Sequence, residues 1–166
     1  MKQRLLTPEP LTAAAFAPYG DVLECATAKE LRNINYGNTQ RFHDIAALDL
    51  VAGHGQPLVS IFRSKPLARP IPVKVMERHP MSSQAFFPLN NHPFMVVVAE
   101  AGEFNSSRLR AFLAGPQQGV NYRKGTWHHY SLALDRVCEF LVIDRGGPEK
   151  NCDEVFLEQE DIIIDY

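Results

Sequence analysis

Seven short segments rich in Val, Ile, Leu and Phe, strung along residues 58–144, limit the folds open to this chain more than any other feature. They run over 58–64, 71–79, 83–89, 94–99, 108–115, 126–133 and 137–144, with turn-forming residues between them. Alternation of apolar and polar residues is common within them, as half-buried antiparallel strands require. Short strands at regular spacing predict an all-β sandwich, jelly roll or barrel. Helical periodicity is weak except near the start. There Thr12 is placed to cap a short helix over Ala13–Ala17, which Pro18-Tyr19-Gly20 ends. Residues 147–154 read as a polar loop and 161–166 as a short apolar tail.

The 166 residues suffice for one domain with a sizeable core, expected to span 1–166. A formal net charge of −2, with no cluster of Lys and Arg, argues against a nucleic-acid partner. Cys25, Cys138 and Cys152 are far apart and odd in number, and no C-x-x-C pair exists. They read as reduced thiols of a cytoplasmic protein, not as a disulfide framework or zinc ribbon. Pro8-Glu9-Pro10 interrupts any apolar region of signal-peptide length, and the run Phe94–Ala99 is too short to cross a bilayer. The expectation is a soluble cytoplasmic protein with no membrane partner.

If 71–79 is one strand, Ile71, Val73, Val75, Glu77 and His79 share a face. An apolar face that turns into a carboxylate and an imidazole is either a strand entering a ligand cavity or a strand emerging into solvent. Downstream, Gln84 and Phe86 share a face. In "GVNYRKGTWHHY", residues 119–130, Tyr122, Lys124, Thr126, His128 and Tyr130 share parity if the turn at Gly125 keeps register. Trp127 and His129 then lie opposite. Neighbouring side chains of an extended chain point to opposite faces, so His128 and His129 cannot serve one site.

The residue types suit proton transfer and anion binding. His79 and His128 titrate near neutrality, and a desolvated Lys124 can act as base or donor. Tyr122 and Gln84 are neutral hydrogen-bonding groups. Arg41, Arg63 and Arg78 each carry the planar fork that grips a carboxylate, and the sequence does not choose among them. Glu139, on the face of Val137, Leu141 and Ile143, needs a cationic partner such as Lys124 if buried.

Gly125-Thr126-Trp127-His128 resembles the G-x-x-H motif of the cupin superfamily, and Glu77-Arg78-His79 followed by Gln84 has the spacing of its first motif. Glu77 stands where that motif has a histidine, Gln84 where it has a glutamate, and Lys124 where a proline usually precedes the glycine. The resemblance implies a double-stranded β-helix, a jelly-roll barrel with a short N-terminal helix, and His128 facing its cavity. Glu77, His79 and His128 would form a two-histidine, one-carboxylate metal set.

The stretches "RFHD", "ERHPMSSQAFFPL", "GVNYRKGTWHHY", "FLVIDRGG" and "NCD" together resemble the ureidoglycolate lyase (ureidoglycolate hydrolase) family of allantoin catabolism. That resemblance implies elimination of urea from ureidoglycolate to give glyoxylate, a homodimer, and nickel as the metal. In such a site His79, Lys124 and His128 are the expected catalytic groups, with Arg63, Arg78, Gln84 and Tyr122 binding substrate. Two other readings stay open. One is an amidohydrolase releasing ammonia and carbon dioxide from the same substrate. The other is a non-catalytic cupin that binds a small acid.

Overall fold

The structure is a computed structural model and describes residues 3–157 and 161–166. The strand Phe94–Ala99 shows how its layers are ordered. All six residues are buried, because Phe94, Val96 and Val98 join one apolar core while Met95, Val97 and Ala99 join another. A strand covered on both faces reads as a continuous apolar run. It pairs antiparallel with Arg110–Ala114 along one edge, and with Trp127–His128 and Leu132–Ala133 along the other. Val75–Arg78 and then Asp153–Phe156 extend this seven-stranded sheet beyond Trp127–His128.

A second sheet orders its five strands Gly20–Leu23, Gly119–Tyr122, Gln84–Pro88, Cys138–Gly146 and Gln56–Ser64. The first core lies between the two sheets. Val96, Val98 and Phe112 come from one side, and Phe86, Val120, Tyr122, Phe140 and Val142 from the other. The helix Ala13–Phe16, capped by Thr12 accepting from the Ala15 amide, adds the Phe16 ring against Tyr19, Phe112 and Tyr122. On the far side of the seven-stranded sheet, Arg4–Leu6, Ile162–Ile164 and Ile71–Pro72 form a three-stranded sheet over the second core. Sequence positions near both ends of the chain thus meet.

This is the all-β architecture that the strand spacing predicts, with one short helix. Its two large sheets face each other across the first core, and among the described residues no ladder closes them into one barrel. The segment 71–79 departs from a single strand. Ile71–Pro72 pairs in the three-stranded sheet and Val75–Arg78 in the seven-stranded one, so the chain changes sheets between them. That crossing resets the alternation: Met76, not Val75, continues the buried face of Ile71 and Val73. The segment 126–133 likewise splits into two short strands on one neighbour. The loop read over 147–154 gives way to strand at Asp153. Finally, Glu30–Ile34 and Thr39–His43 form a hairpin that pairs with neither large sheet.

Candidate active site

Strand pairing brings the chemistry together. His128 lies opposite Glu77 on one neighbour and opposite Val98, a residue of the first core, on the other. Residues directly opposite in a ladder share a face, so His128 and Glu77 point toward the space between the large sheets. Trp127 lies opposite Ala99 and belongs to the second core. Its indole donates to the Gly102 carbonyl at 3.0 Å. Gly125, at φ +78°, makes the turn that lets the chain return, and its amide donates to the His79 carbonyl at 2.9 Å. That bond ties the turn carrying Lys124 to His79.

The His79 and His128 rings lie 5.2 Å apart, and Tyr122 stacks parallel on His128 at 4.1 Å. One ligand atom from each of Glu77, His79 and His128 falls within 4.8 Å of the others. Each imidazole is fixed by a backbone carbonyl at Nδ1. His79 meets the Asn151 carbonyl at 2.6 Å and His128 the His129 carbonyl at 3.1 Å. A carbonyl can only accept, so each Nδ1 carries a proton, and the neutral His128 holds its lone pair on Nε2. Among the described residues the buried His128 Nε2 has no hydrogen-bond partner.

Around His79 the support is dense. Its Nε2 is 3.1 Å from the Gln84 side-chain oxygen, and the Gln84 amide donates to Asp144 at 3.2 Å. Asn151 also accepts from the Met81 amide and donates to Ser82, which pins the turn after His79. Arg145, whose side chain is fully buried, donates to the carbonyls of Ala52 and Gly53 and pairs with Glu149 at 2.6 Å. The end of the strand Cys138–Gly146 therefore holds two loops beside the site.

Electrostatics distinguishes these groups. Burial, and then the nearby His79, push His128 down to about 3, so it is neutral at ordinary pH. Burial raises the Glu77 carboxyl and the Tyr122 phenol, which keeps its proton. Among the described residues no Lys or Arg pairs with Glu77. Its nearest charged or chargeable partner is His128 Nδ1 at 3.7 Å, and Cys152 Sγ lies 4.0 Å from its other oxygen. A half-buried carboxylate without a cation, beside two imidazoles whose Nδ1–H groups are bound to carbonyls, is a donor set suited to a divalent ion. The unpartnered Nε2 of His128 is the observation that supports this fit.

The other expected residues are placed as follows. Gln84 is buried and bonded at both ends of its amide, and Tyr122 lines the first core beside His128. Lys124 pairs with Asp49 at 2.7 Å on the turn next to His79. Arg78 alternates away from Glu77: its guanidinium donates to Asp153 and Gly102 and lies over Trp127. Arg63 pairs with Glu139 at 2.6 Å on the outer strand, so Arg63, not Lys124, is the partner of Glu139. His129 is buried on the opposite side from His128, its amide bound to the Val97 carbonyl. Asp144, Asn151 and Asp49 went unassigned from sequence. The signal for the first two lay in "FLVIDRGG" and "NCD", which travel with the histidine motifs.

An all-β, cupin-like fold that carries an inward carboxylate, two closely set imidazoles and a braced second layer of hydrogen bonds defines an enzyme site. The chain belongs to the ureidoglycolate lyase family, whose model matches residues 3–165. It is 54% identical over 155 residues to a ureidoglycolate lyase of Burkholderia cepacia, which covers 93% of this chain and 87% of that one. It is 51% identical over 156 residues to a ureidoglycolate lyase of Brucella melitensis biotype 2, covering 94% and 92%.

Proposed function

We propose that this chain eliminates urea from ureidoglycolate and leaves glyoxylate, a step of allantoin catabolism, in the cytoplasm and as a homodimer. The observation that carries the reading is the Glu77, His79 and His128 cluster, its ligand atoms within 4.8 Å. The substrate bears a hydroxyl, a carboxylate and a ureido nitrogen on one carbon. Breaking the carbon–nitrogen bond requires loss of the hydroxyl proton, formation of the aldehyde C=O, and a proton for the departing nitrogen.

Glu77, His79 and His128 would hold a divalent ion, nickel in this reading, which would supply Lewis acidity to the substrate oxygens. Gln84 and Asp144 orient His79, and Asn151 fixes its tautomer. Tyr122, which burial keeps protonated, donates to an oxygen of the substrate. Lys124, its ammonium held by Asp49 on the turn beside His79, gives a proton to the ureido nitrogen and takes the substrate's hydroxyl proton in its place. Arg78 lies over Trp127 and Arg63 on the outer strand, so we assign the substrate carboxylate to Lys124, on the turn tied to His79.

The test is to incubate purified protein with ureidoglycolate, with and without chelator, and measure glyoxylate, urea and ammonia. Glyoxylate and urea in equal amounts, lost on chelation and restored by nickel, is the expected result. Ammonia in place of urea makes the protein an amidohydrolase. Saturable binding with no product makes it a small-acid sensor. Full activity in protein stripped of metal removes the ion and leaves the cluster as an acid–base set.

A further inference from the structure

Glu77 is held differently from the two histidines. His79 and His128 each rest on a backbone carbonyl, whereas no Lys or Arg stands beside Glu77 among the described residues. Its strand runs between two others. His128 lies directly across from it on one neighbour and Glu154 on the other, so the three share a face. A like charge directly opposite pushes a carboxylate away. Glu154 is exposed, yet Glu77 stays half-buried, so an attraction has to keep it inward.

The strand Asp153–Phe156 brings one group that can do so. Asp153 pairs with Arg78 in the ladder, so Cys152, one step earlier, comes level with His79 on the face of Glu77. Its Sγ lies 4.0 Å from Glu77 Oε2, while Oε1 is 3.7 Å from His128 Nδ1. The His128 Nδ1 proton is committed to the His129 carbonyl. Among the described residues, Cys152 is then the only side chain that donates a hydrogen bond to Glu77. Its backbone is anchored on both sides. Asn151 accepts from His79 at 2.6 Å and from the Met81 amide, and Asp153 takes the Arg78 guanidinium at 3.0 Å. The carboxylate oxygens are thereby divided, one toward the thiol and one toward the imidazoles. At the imidazole end, the wholly buried His128 keeps an Nε2 with no partner among the described residues, an orphan that points to a ligand at this cluster.

We propose that Cys152 is a positioning residue of the metal centre: its thiol donates to Glu77 Oε2 and turns Oε1 toward the ion that Glu77, His79 and His128 hold. This deepens the metal reading above and rests on it. The sulfur is not a fourth ligand, because the set whose ligand atoms lie within 4.8 Å of one another comprises the other three side chains and not Cys152. A thiol suits the place better than a cation. Lys or Arg there would neutralise Glu77 and compete with a divalent ion for it. A weak neutral donor fixes the carboxylate and leaves its full charge to the metal.

Infrared spectra of the metal-free protein read the contact itself. Subtracting the spectrum of Cys152→Ser isolates one S–H stretch from those of Cys25 and Cys138. That band should lie below the frequency of a free thiol and rise in Glu77→Ala. A band that Glu77→Ala leaves in place overturns the contact. Nickel affinity, by competition with a coloured chelator, reads the consequence. Cys152→Ala should bind about 10-fold more weakly with its circular dichroism unchanged, at the low end for an outer partner because a thiol is a weak donor. Cys152→Ser, which keeps a donor, should bind closer to the wild type. Equal affinities in wild type and Cys152→Ala overturn the role while the metal reading stands. A wild type that takes up no nickel overturns the metal reading, and the role with it. Cobalt(II) bound to the wild type should show no intense sulfur-to-metal charge transfer. Such a band would make Cys152 a ligand and overturn its place outside the donor set.

Discussion

Two adjacent histidines show how far side-chain direction decides role. His128 and His129 are both buried, and among the described residues both keep an Nε2 without a partner. Only His128 faces Glu77 and His79. His128→Ala should therefore abolish stoichiometric metal binding, read by elemental analysis, and lower kcat by roughly 10²–10⁴-fold. His129→Ala should keep the metal and hold kcat within a few-fold, and cost roughly 1–3 kcal/mol of stability in urea titration. The reverse pattern would show that the alternation through Gly125 had been read on the wrong parity. Asp144 acts one step further out. Asp144→Ala frees the Gln84 amide, and the loss of such an outer partner should lower metal affinity about 10–100-fold, measured by competition with a chromogenic chelator. The KM of the metal-saturated variant should stay near that of the parent.

At the scale of the element, the strand Cys138–Gly146 links core and site. Phe140 and Val142 fill the first core, Asp144 holds Gln84, and Arg145 ties down the loops at Ala52–Gly53 and Glu149. The fully buried Arg145 side chain is costly to remove, because Glu149 and two carbonyls lose their donor together. Arg145→Ala should cost about 3–5 kcal/mol, read from the urea midpoint at constant slope, and limited proteolysis should cut near Gly53 first. A midpoint shift worth under ~1 kcal/mol would mean that water replaces the guanidinium there. The strand itself was legible in sequence from its Val, Ile and Phe content. Its role as the strut beside His79 was not, since Asp144 and Gln84 lie 60 positions apart.

For the whole molecule, buried neutral histidines make stability depend on pH. His128 is pushed down to about 3 and His129 to about 4, both by burial first, from an ordinary value near 6.5. Their folded values are depressed, so between these values and 6.5 the unfolded chain binds more protons than the folded one. The stability they contribute is complete above about pH 6.5 and is lost as pH falls toward 4. Glu77, raised by burial, acts in the opposite sense, since a folded carboxyl that holds its proton longer favours the fold at lower pH. With two histidines against one carboxyl, Tm measured by calorimetry in low-metal buffer should fall on going from pH 7 to pH 4.5. In His129→Leu the fall should be shallower, and an unchanged slope would mean that His129 reaches solvent.

Local chemistry in the sequence determined the β class, the capped helix at Thr12 and the run Phe94–Ala99. It also determined that His128 and His129 part company, because alternation along a strand and turn chemistry act within a few residues. Tertiary structure decided the rest. The chain changes sheets between Pro72 and Val75, which shifted the buried face to Met76. Charges found partners far away in sequence: Glu139 with Arg63 and Lys124 with Asp49. The hairpin over 30–43 is polar enough to pass for a loop until its strands are seen paired and its uncharged face uncovered. Each of these outcomes depends on which distant segments meet, and pairing across tens of residues leaves no period in the local sequence for a reader to find.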